Sequence, residues 1–228
     1  MKILKKTAII SLVGLFVILS ISFTSIVHVT ANPTNLSDDE IAGILFMREE
    51  EKLARDVYLA FAEMYPSYSI FSNIPSSEQR HMNSIKQLID RYDLDDPIVD
   101  NGIGVFTDDS LQELYNVLVV QGSQSLIDAL KGGAAIEEID ILDIQEYLEI
   151  SDEWMINRIY NNLLDGSENH LRAFVNELSM QGVTYQPQYL DEESFNDIID
   201  ADSDSGRNGQ IWNQLMEWVR GLFRWRNG

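Results

Sequence analysis

The segment ILFMREEEKLARDVYLAFAEMYP, Ile44 to Pro66, decides the fold. Ile44, Met47, Glu51, Ala54, Tyr58, Phe61 and Tyr65 recur at alternating intervals of three and four residues, which puts them on one face of a helix. Pro66 cannot continue that helix. Its start is equally legible in Leu36-Ser37-Asp38-Asp39-Glu40: Ser37 is the N-cap, acids fill the first turn, and Glu40 stands at the capping-box position. One member of the stripe is chemically out of place. Glu51 lies where the period asks for an apolar side chain, and a buried carboxylate is costly unless it is paired or bound to a metal.

The pattern recurs further along the chain. A second helix is expected from about Pro75 to Tyr92, with the stripe Ile74, Glu78, His81, Ile85, Leu88 and Tyr92. A third is expected from about Ser125 to Leu148, interrupted at Gly132-Gly133, with Ala134, Glu137, Ile141, Ile144 and Leu148 inward. A fourth runs from about Asp152 to Leu178, with Ile156, Tyr160, Leu163, Ser167, His170 and Phe174. Between the second and third lies a connection rich in Asp, Gly and Pro (residues 93 to 109), then a short helix from about Ser110 to Val120 that Gly122 ends. Alternation with period two is scarce, so strands are not expected. The reading is all-α: an antiparallel four-helix bundle with a long connection between helices two and three.

Each of the four stripes carries polar residues: Glu51, then Glu78 with His81, then Glu137, then His170. The three histidines of the chain are His28, near the N-terminus, and the two on these stripes. Glu78-Gln79-Arg80-His81 is Glu-x-x-His, which sets both side chains on one helical face. Arg48, Lys52 and Arg55 of the first helix lie off the Glu51 stripe. A metal pair is the most economical shared partner for several acids and two imidazoles inside one bundle, and Fe or Mn suits that donor set, with Zn also compatible. The bland alternative is a buried polar network that holds no metal.

The strings MREEEKLARDVY (Met47 to Tyr58), FSNIPSSEQRHM (Phe71 to Met82), IEEIDILDI (Ile136 to Ile144) and GSENHLRAF (Gly166 to Phe174) resemble a ferritin-like domain family of unknown function. More distantly they are similar to the rubrerythrins and bacterioferritins. The resemblance spans about Leu36 to Tyr189 and implies a ferritin-like bundle of the di-iron-carboxylate type. It gives the first-helix ligand role to Glu51, because Ala54 and Tyr58 follow at the family's spacing, and not to Glu49 or Glu50. It assigns Glu78 and His81 as the second-helix pair and His170 as the fourth-helix ligand. Rubrerythrins carry a second acid three residues after the third-helix Glu, and Glu137 with Asp140 fits that; Glu138 is an alternative to Glu137. The chain departs from the family at Ser167, which stands where a full Glu-x-x-His would have Glu, and Glu168 is out of phase with His170. The implied chemistry is Fe(II) oxidation by dioxygen or peroxide at two ions, with Tyr58 one heptad from Glu51 as an electron or hydrogen-bond donor.

Composition bounds the rest. The chain has 228 residues, 45% of them apolar, with Lys plus Arg 16 and Asp plus Glu 37, a formal charge of −21. That is room for one domain with appendages, and its acidity argues against binding nucleic acid through a basic face. Without cysteine there are no disulfides, thiolate metal sites or thiol nucleophiles. No nucleophile elbow or Ser-His-Asp arrangement suggests a hydrolase.

Residues 1–31 read as a secretory signal peptide: Lys2, Lys5 and Lys6, an uncharged run from Thr7 to Val27, then Val29-Thr30-Ala31. The competing reading is an uncleaved N-terminal anchor. Either one exports the remainder, to the cell envelope or beyond it. Residues 32–189 form the expected bundle, 190–209 an acidic polar linker, and 210–228 a basic, Trp-rich amphipathic helix. Asp200, Asp202 and Asp204 imitate the start of a calcium loop, but Ser205 and Ile211 occupy the positions that need Gly and an acid. Ile211, Leu215, Trp218, Leu222 and Trp225 share one face of the last segment, so it either lies on a membrane surface or folds back on the acidic bundle. Assembly into oligomers is compatible with this layout. A second function class is a metal-stabilised envelope or membrane-surface protein without catalysis.

Overall fold

A computed structural model describes residues 36–201. Every regular element among them is helical: α1 (Asp38–Met64), α2 (Ile70–Asn73), α3 (Pro75–Arg91), α4 (Asp109–Gly122), α5 (Leu126–Ile150) and α6 (Trp154–Met180). Local chemistry sets the ends. Ser37 caps α1, and its side chain and that of Glu40 satisfy each other's backbone N–H in a full capping box. Pro75 opens α3. Asp108 accepts from the N–H groups of Ser110 and Leu111 to start α4, and Ser125 accepts from Asp128 N to start α5. Gly182 (φ 76°) ends α6: Val183 N–H donates to Leu178 O and Gly182 N–H to Ser179 O, the double closure of a Schellman motif.

One expectation needs correction, and one element is new. α5 runs unbroken through Gly132-Gly133. The reason is packing: a Cβ on Gly133 would lie 2.4 Å from the Phe174 ring, so the glycine lets α6 approach α5. The short helix α2 was not foreseen from the sequence, since four residues are too few to show a period.

α1 packs against α3, α4 and α5, and α6 packs against α5 and α3. The apolar core falls into two clusters. One holds Val57, Phe61, Phe71, Ala129, Leu130, Leu171 and Phe174; the other holds Ile44, Met47, Ile85, Leu88, Ile144, Ile156 and Leu163. α1 and α6 pass from the second cluster to the first along the chain, α5 passes from the first to the second, and α3 follows Ile74 of the first cluster and ends in the second. Between the clusters, at one level on all four helices, lie Glu51, Glu78, His81, Glu137, Asp140 and Ser167, every one buried. The fold therefore sandwiches a polar layer between two dry ones.

Residues 93–108 are pinned to the outer side of α1. Arg48 binds Asp96 and the Met82 carbonyl. Lys52, fully buried, pairs with Asp56 at 2.5 Å, donates to Gly102 O and sits 4.3 Å from the Phe106 ring centre. Asp56 also accepts from Gly104 N and pairs with Arg55, and Glu49 accepts from the N–H groups of Thr107 and Asp108. These three cations thus serve the connection and not the polar layer, where His81 and His170 are the basic side chains. Lys52→Ala leaves the buried Asp56 carboxylate with Arg55 and the Gly104 N–H alone and is expected to cost about 1.5–3 kcal/mol, readable as a lowered urea midpoint with an unchanged m-value.

The C-terminal boundary also differs from expectation. Residues 192–201 are helical, and Leu190, Phe195 and Ile198 are buried against the first cluster, so the start of the expected linker belongs to the packed domain. The leader (1–31), the remaining linker (202–209) and the Trp-rich segment (210–228) lie outside the described residues. Among the described residues no helix is long and apolar enough to cross a membrane.

Candidate metal centre

Five of the expected site residues converge in the polar layer. Glu51, Glu78 and His81 offer ligand atoms within 4.8 Å of one another, and so do Glu78, Glu137 and His170. Glu78 belongs to both groups. Its Oε2 lies 2.9 Å from His81 Nδ1 and its Oε1 lies 2.8 Å from His170 Nδ1. Glu51 Oε2 stands 3.1 Å from His81 Nδ1, and Glu137 Oε2 stands 3.5 Å from His170 Nδ1. The two imidazoles stack, their centres 5.7 Å apart. The arrangement is two three-donor sets, each with one Nδ1 and two carboxylates, joined through the two oxygens of one carboxyl group.

The contacts are short without all being hydrogen bonds. At 2.8 Å, Glu78 Oε1 and His170 Nδ1 are within reach, yet neither atom has a hydrogen-bond partner of acceptable geometry, and Glu51 Oε1 has none either. Buried polar atoms left this way are expensive. Donors that crowd together without aiming at one another have the geometry of ligands awaiting a common cation, and carboxylate oxygen with imidazole nitrogen suits Fe, Mn or Zn.

Charge without such a cation is balanced by protons. Burial works against both imidazolium ions, but the carboxylates of Glu51 and Glu78 push His81 up to about 11, and those of Glu137 and Glu78 push His170 to about 10. Burial would raise Glu78, but the close contacts and charge of the two histidines outweigh it and hold the group at about 2. Burial raises Glu51 to about 7, against the attraction of His81. Burial, and then the charges of Glu51 and Glu137, hold Asp140 well above the usual carboxylate range. The Ser167 hydroxyl contacts both Asp140 Oδ2 and Leu163 O. The hydroxyl has one proton to share between these two acceptors, and its donation to Asp140 works against the rise that burial imposes.

Outer contacts fix the candidate ligands. Tyr58 O–H donates to Glu137 Oε1 at 2.5 Å, leaving Oε2 toward His170. Tyr58 itself is buried and touches the Phe174 ring. Gly166, absent from the sequence expectations, makes room for His81: a Cβ there would lie 2.5 Å from His81 Nε2. Its signal in the sequence is a glycine in mid-helix beside a candidate ligand pair. Gly166→Ala is expected to displace the imidazole and weaken metal binding by about 10–100-fold with little change in helix content, checked by isothermal titration and circular dichroism.

Glu138 is separated from this group. Its carboxylate accepts from Tyr185 O–H and from the N–H groups of Gln188, Tyr189 and Leu190, so it holds the strap after α6. Between Glu137 and Glu138, only Glu137 faces the histidines. Asp140 lies in the same layer but in neither three-donor set.

The sequence profile of an uncharacterized protein domain, DUF2202, matches residues 40–202. The chain belongs to the DUF2202 family. The match takes in every residue of the polar layer. A DUF2202 relative, the "uncharacterized protein MJ0754" of Methanocaldococcus jannaschii, is 44% identical over 173 residues, covering 76% of this chain and 93% of its own. The crystal structure of that hypothetical protein is similar to this chain with a TM-score of 0.71, over 73% of this chain and 95% of the other. The compact helical region is thus a DUF2202 domain with a solved counterpart at the same identity.

Proposed function

We propose that this DUF2202 domain is a ferritin-like four-helix bundle carrying a dinuclear iron centre, or a manganese one, and that the exported protein oxidises Fe(II) with dioxygen or peroxide. The observation that carries the reading is Glu78, whose two oxygens face two different imidazoles. A bundle with single carboxylates on two helices and imidazoles on the other two is the layout of carboxylate-bridged dimetal proteins. Glu51 and His81 would hold one ion, Glu137 and His170 the other, and Glu78 both.

Iron bound there would supply one-electron redox chemistry toward dioxygen or peroxide. The chain supplies the surroundings. The two apolar clusters keep water from the layer, so charges within it interact strongly. Glu137, held by Tyr58, keeps one oxygen committed to the phenol and one free. The phenol proton lies in a short bond to a carboxylate, which is where it would go if Tyr58 gave up an electron. Glu51 and Asp140, both raised, can take up or release protons as charge in the layer changes.

Stopped-flow mixing of the Fe(II)-loaded protein with dioxygen or peroxide tests this directly. Oxidation faster than that of free Fe(II), and slowed in Glu51→Ala, is expected; oxidation no faster than free Fe(II) overturns the redox function. Ser167, a hydroxyl where a further acid would complete the set, favours a second reading in which one Zn or Mn ion only stabilises the domain. That reading predicts a large rise in melting temperature with Zn(II) and no turnover with iron.

A further inference from the structure

The acids of α5 continue past the centre. Glu137, Asp140, Asp143 and Glu146 follow one another at intervals of three. Each step rises about 4.5 Å and drifts about 60° around the helix, so the row spirals from the inward face to the outward one. Burial follows the drift: Glu137 and Asp140 are buried, Asp143 is half-buried, and Glu146 is exposed. Glu50 of α1 sits beside the row. Asp143 is its nearest acidic neighbour, and the charges of Asp143, Asp140 and Glu51 all reach it.

Asp140 accepts from Ser167 through one oxygen only, and Glu50 has Asp143 for a neighbour, so the contacts of these acids leave oxygens over. Glu50 is 4% exposed and Asp140 5%, yet Glu50 Oε2 and Asp140 Oδ1 have no hydrogen-bond partner, and the same holds for Glu51 Oε1 next to them. Unpartnered carboxylate oxygens therefore occur at successive positions between Asp143 and the centre. No Lys or Arg answers them, since Arg48, Lys52 and Arg55 are committed to the connection after α3, and the imidazoles of His81 and His170 pair with Glu51, Glu78 and Glu137 and not with Glu50 or Asp140. A protein that leaves buried oxygens unmatched along one line to a metal site has a use for a positive charge on that line.

We propose that Glu50, Asp143 and Asp140 form a loading path by which a divalent cation passes from the exposed face of α5 to the Glu78-centred site. The proposal rests on the metal-centre reading and adds where the ion enters. Glu146 and Asp143 collect the ion at the surface, Glu50 and Asp143 strip part of its hydration, and Asp140 hands it to the donors of Glu51 and Glu137. Such a path lowers the barrier in both directions, so it changes rates and leaves the final occupancy alone.

Co(II) is a suitable probe, because its visible absorption reports binding without redox chemistry. Uptake into the full-length protein is followed by stopped flow, and release by a chelator. Glu50→Gln/Asp143→Asn is compared with wild type and with Glu63→Gln/Glu113→Gln, which removes the same charge from exposed positions away from the path. The path variant is expected to load about ten-fold more slowly, to release more slowly as well, and to reach the wild-type stoichiometry. Loading no slower than in the charge-matched control overturns the path, and so does faster release, which marks lost affinity. A wild-type protein that takes up no Co(II) overturns the centre and the path together, whereas equal rates in loaded proteins overturn the path alone.

Discussion

Replacing Glu78 by alanine is expected to leave the protein unable to hold either metal ion. The other ligands each serve one three-donor set, but Glu78 serves both. Its removal leaves each set with one carboxylate and one imidazole, too few to hold a hard cation against water. The same reasoning predicts a graded series. Glu51→Ala should keep the Glu78–Glu137–His170 set and about one ion per chain. Glu78→Gln offers a single carbonyl oxygen in place of two anionic ones and should also hold at most about one, where the wild type holds about two. Metal analysis after reconstitution and desalting reads these occupancies, and circular dichroism confirms that each variant is folded. Full occupancy in Glu78→Ala would show that the carboxyl group is not shared.

The second large effect is a reversal of pH dependence on metal loading. In the metal-free protein the folded state holds protons more tightly than the unfolded chain at nearly every group of the layer. Glu51 is raised to about 7, His81 to about 11 and His170 to about 10, and Glu50, Glu137 and Asp140 are raised as well. A group with a raised folded pKa contributes its stability in full below its unfolded pKa and loses it as the pH climbs through the folded one. For the acids that loss begins near pH 4.5, and for the histidines near 6.5. Glu78 alone has the opposite sign: held at about 2, it stabilises above pH 4.5 and loses that contribution only as the pH falls toward 2. The melting temperature of the metal-free protein should therefore fall steadily from about pH 5 to about pH 9. Metal displaces the same protons, so the stabilisation it confers should grow over that range. Thermal scans of both forms test this, and a metal-free protein that becomes more stable as the pH rises would contradict the charge assignment.

How much of this was legible in the sequence differs from element to element. The four long helices were, because each carries a stripe of period 3.6 bounded by caps or breakers. The polar layer was legible for the same reason: Glu51, Glu78, His81, Glu137, Ser167 and His170 interrupt stripes that are otherwise apolar. Glu137 and Glu138 could not be separated, since adjacent residues on one helix differ by only about 100° and both are buried. Only the strap 185–190, which brings three backbone N–H groups to Glu138, tells them apart. Residues 190–201 read as polar from composition, although Phe195 and Ile198 are three apart and share the buried face. The glycines deceived in both directions. Gly132-Gly133 looked like a break and is a close helix crossing, and Gly166 carried no weight although it clears the space for His81.

The proposed centre requires that two ions share Glu78 in the layer between the apolar clusters. Anaerobic titration of the metal-free protein with Fe(II), followed by iron analysis of the desalted product, measures it directly. The account predicts about two Fe per chain, retained on desalting. One ion or none would contradict it, and with it the reading of Glu78 as a bridge.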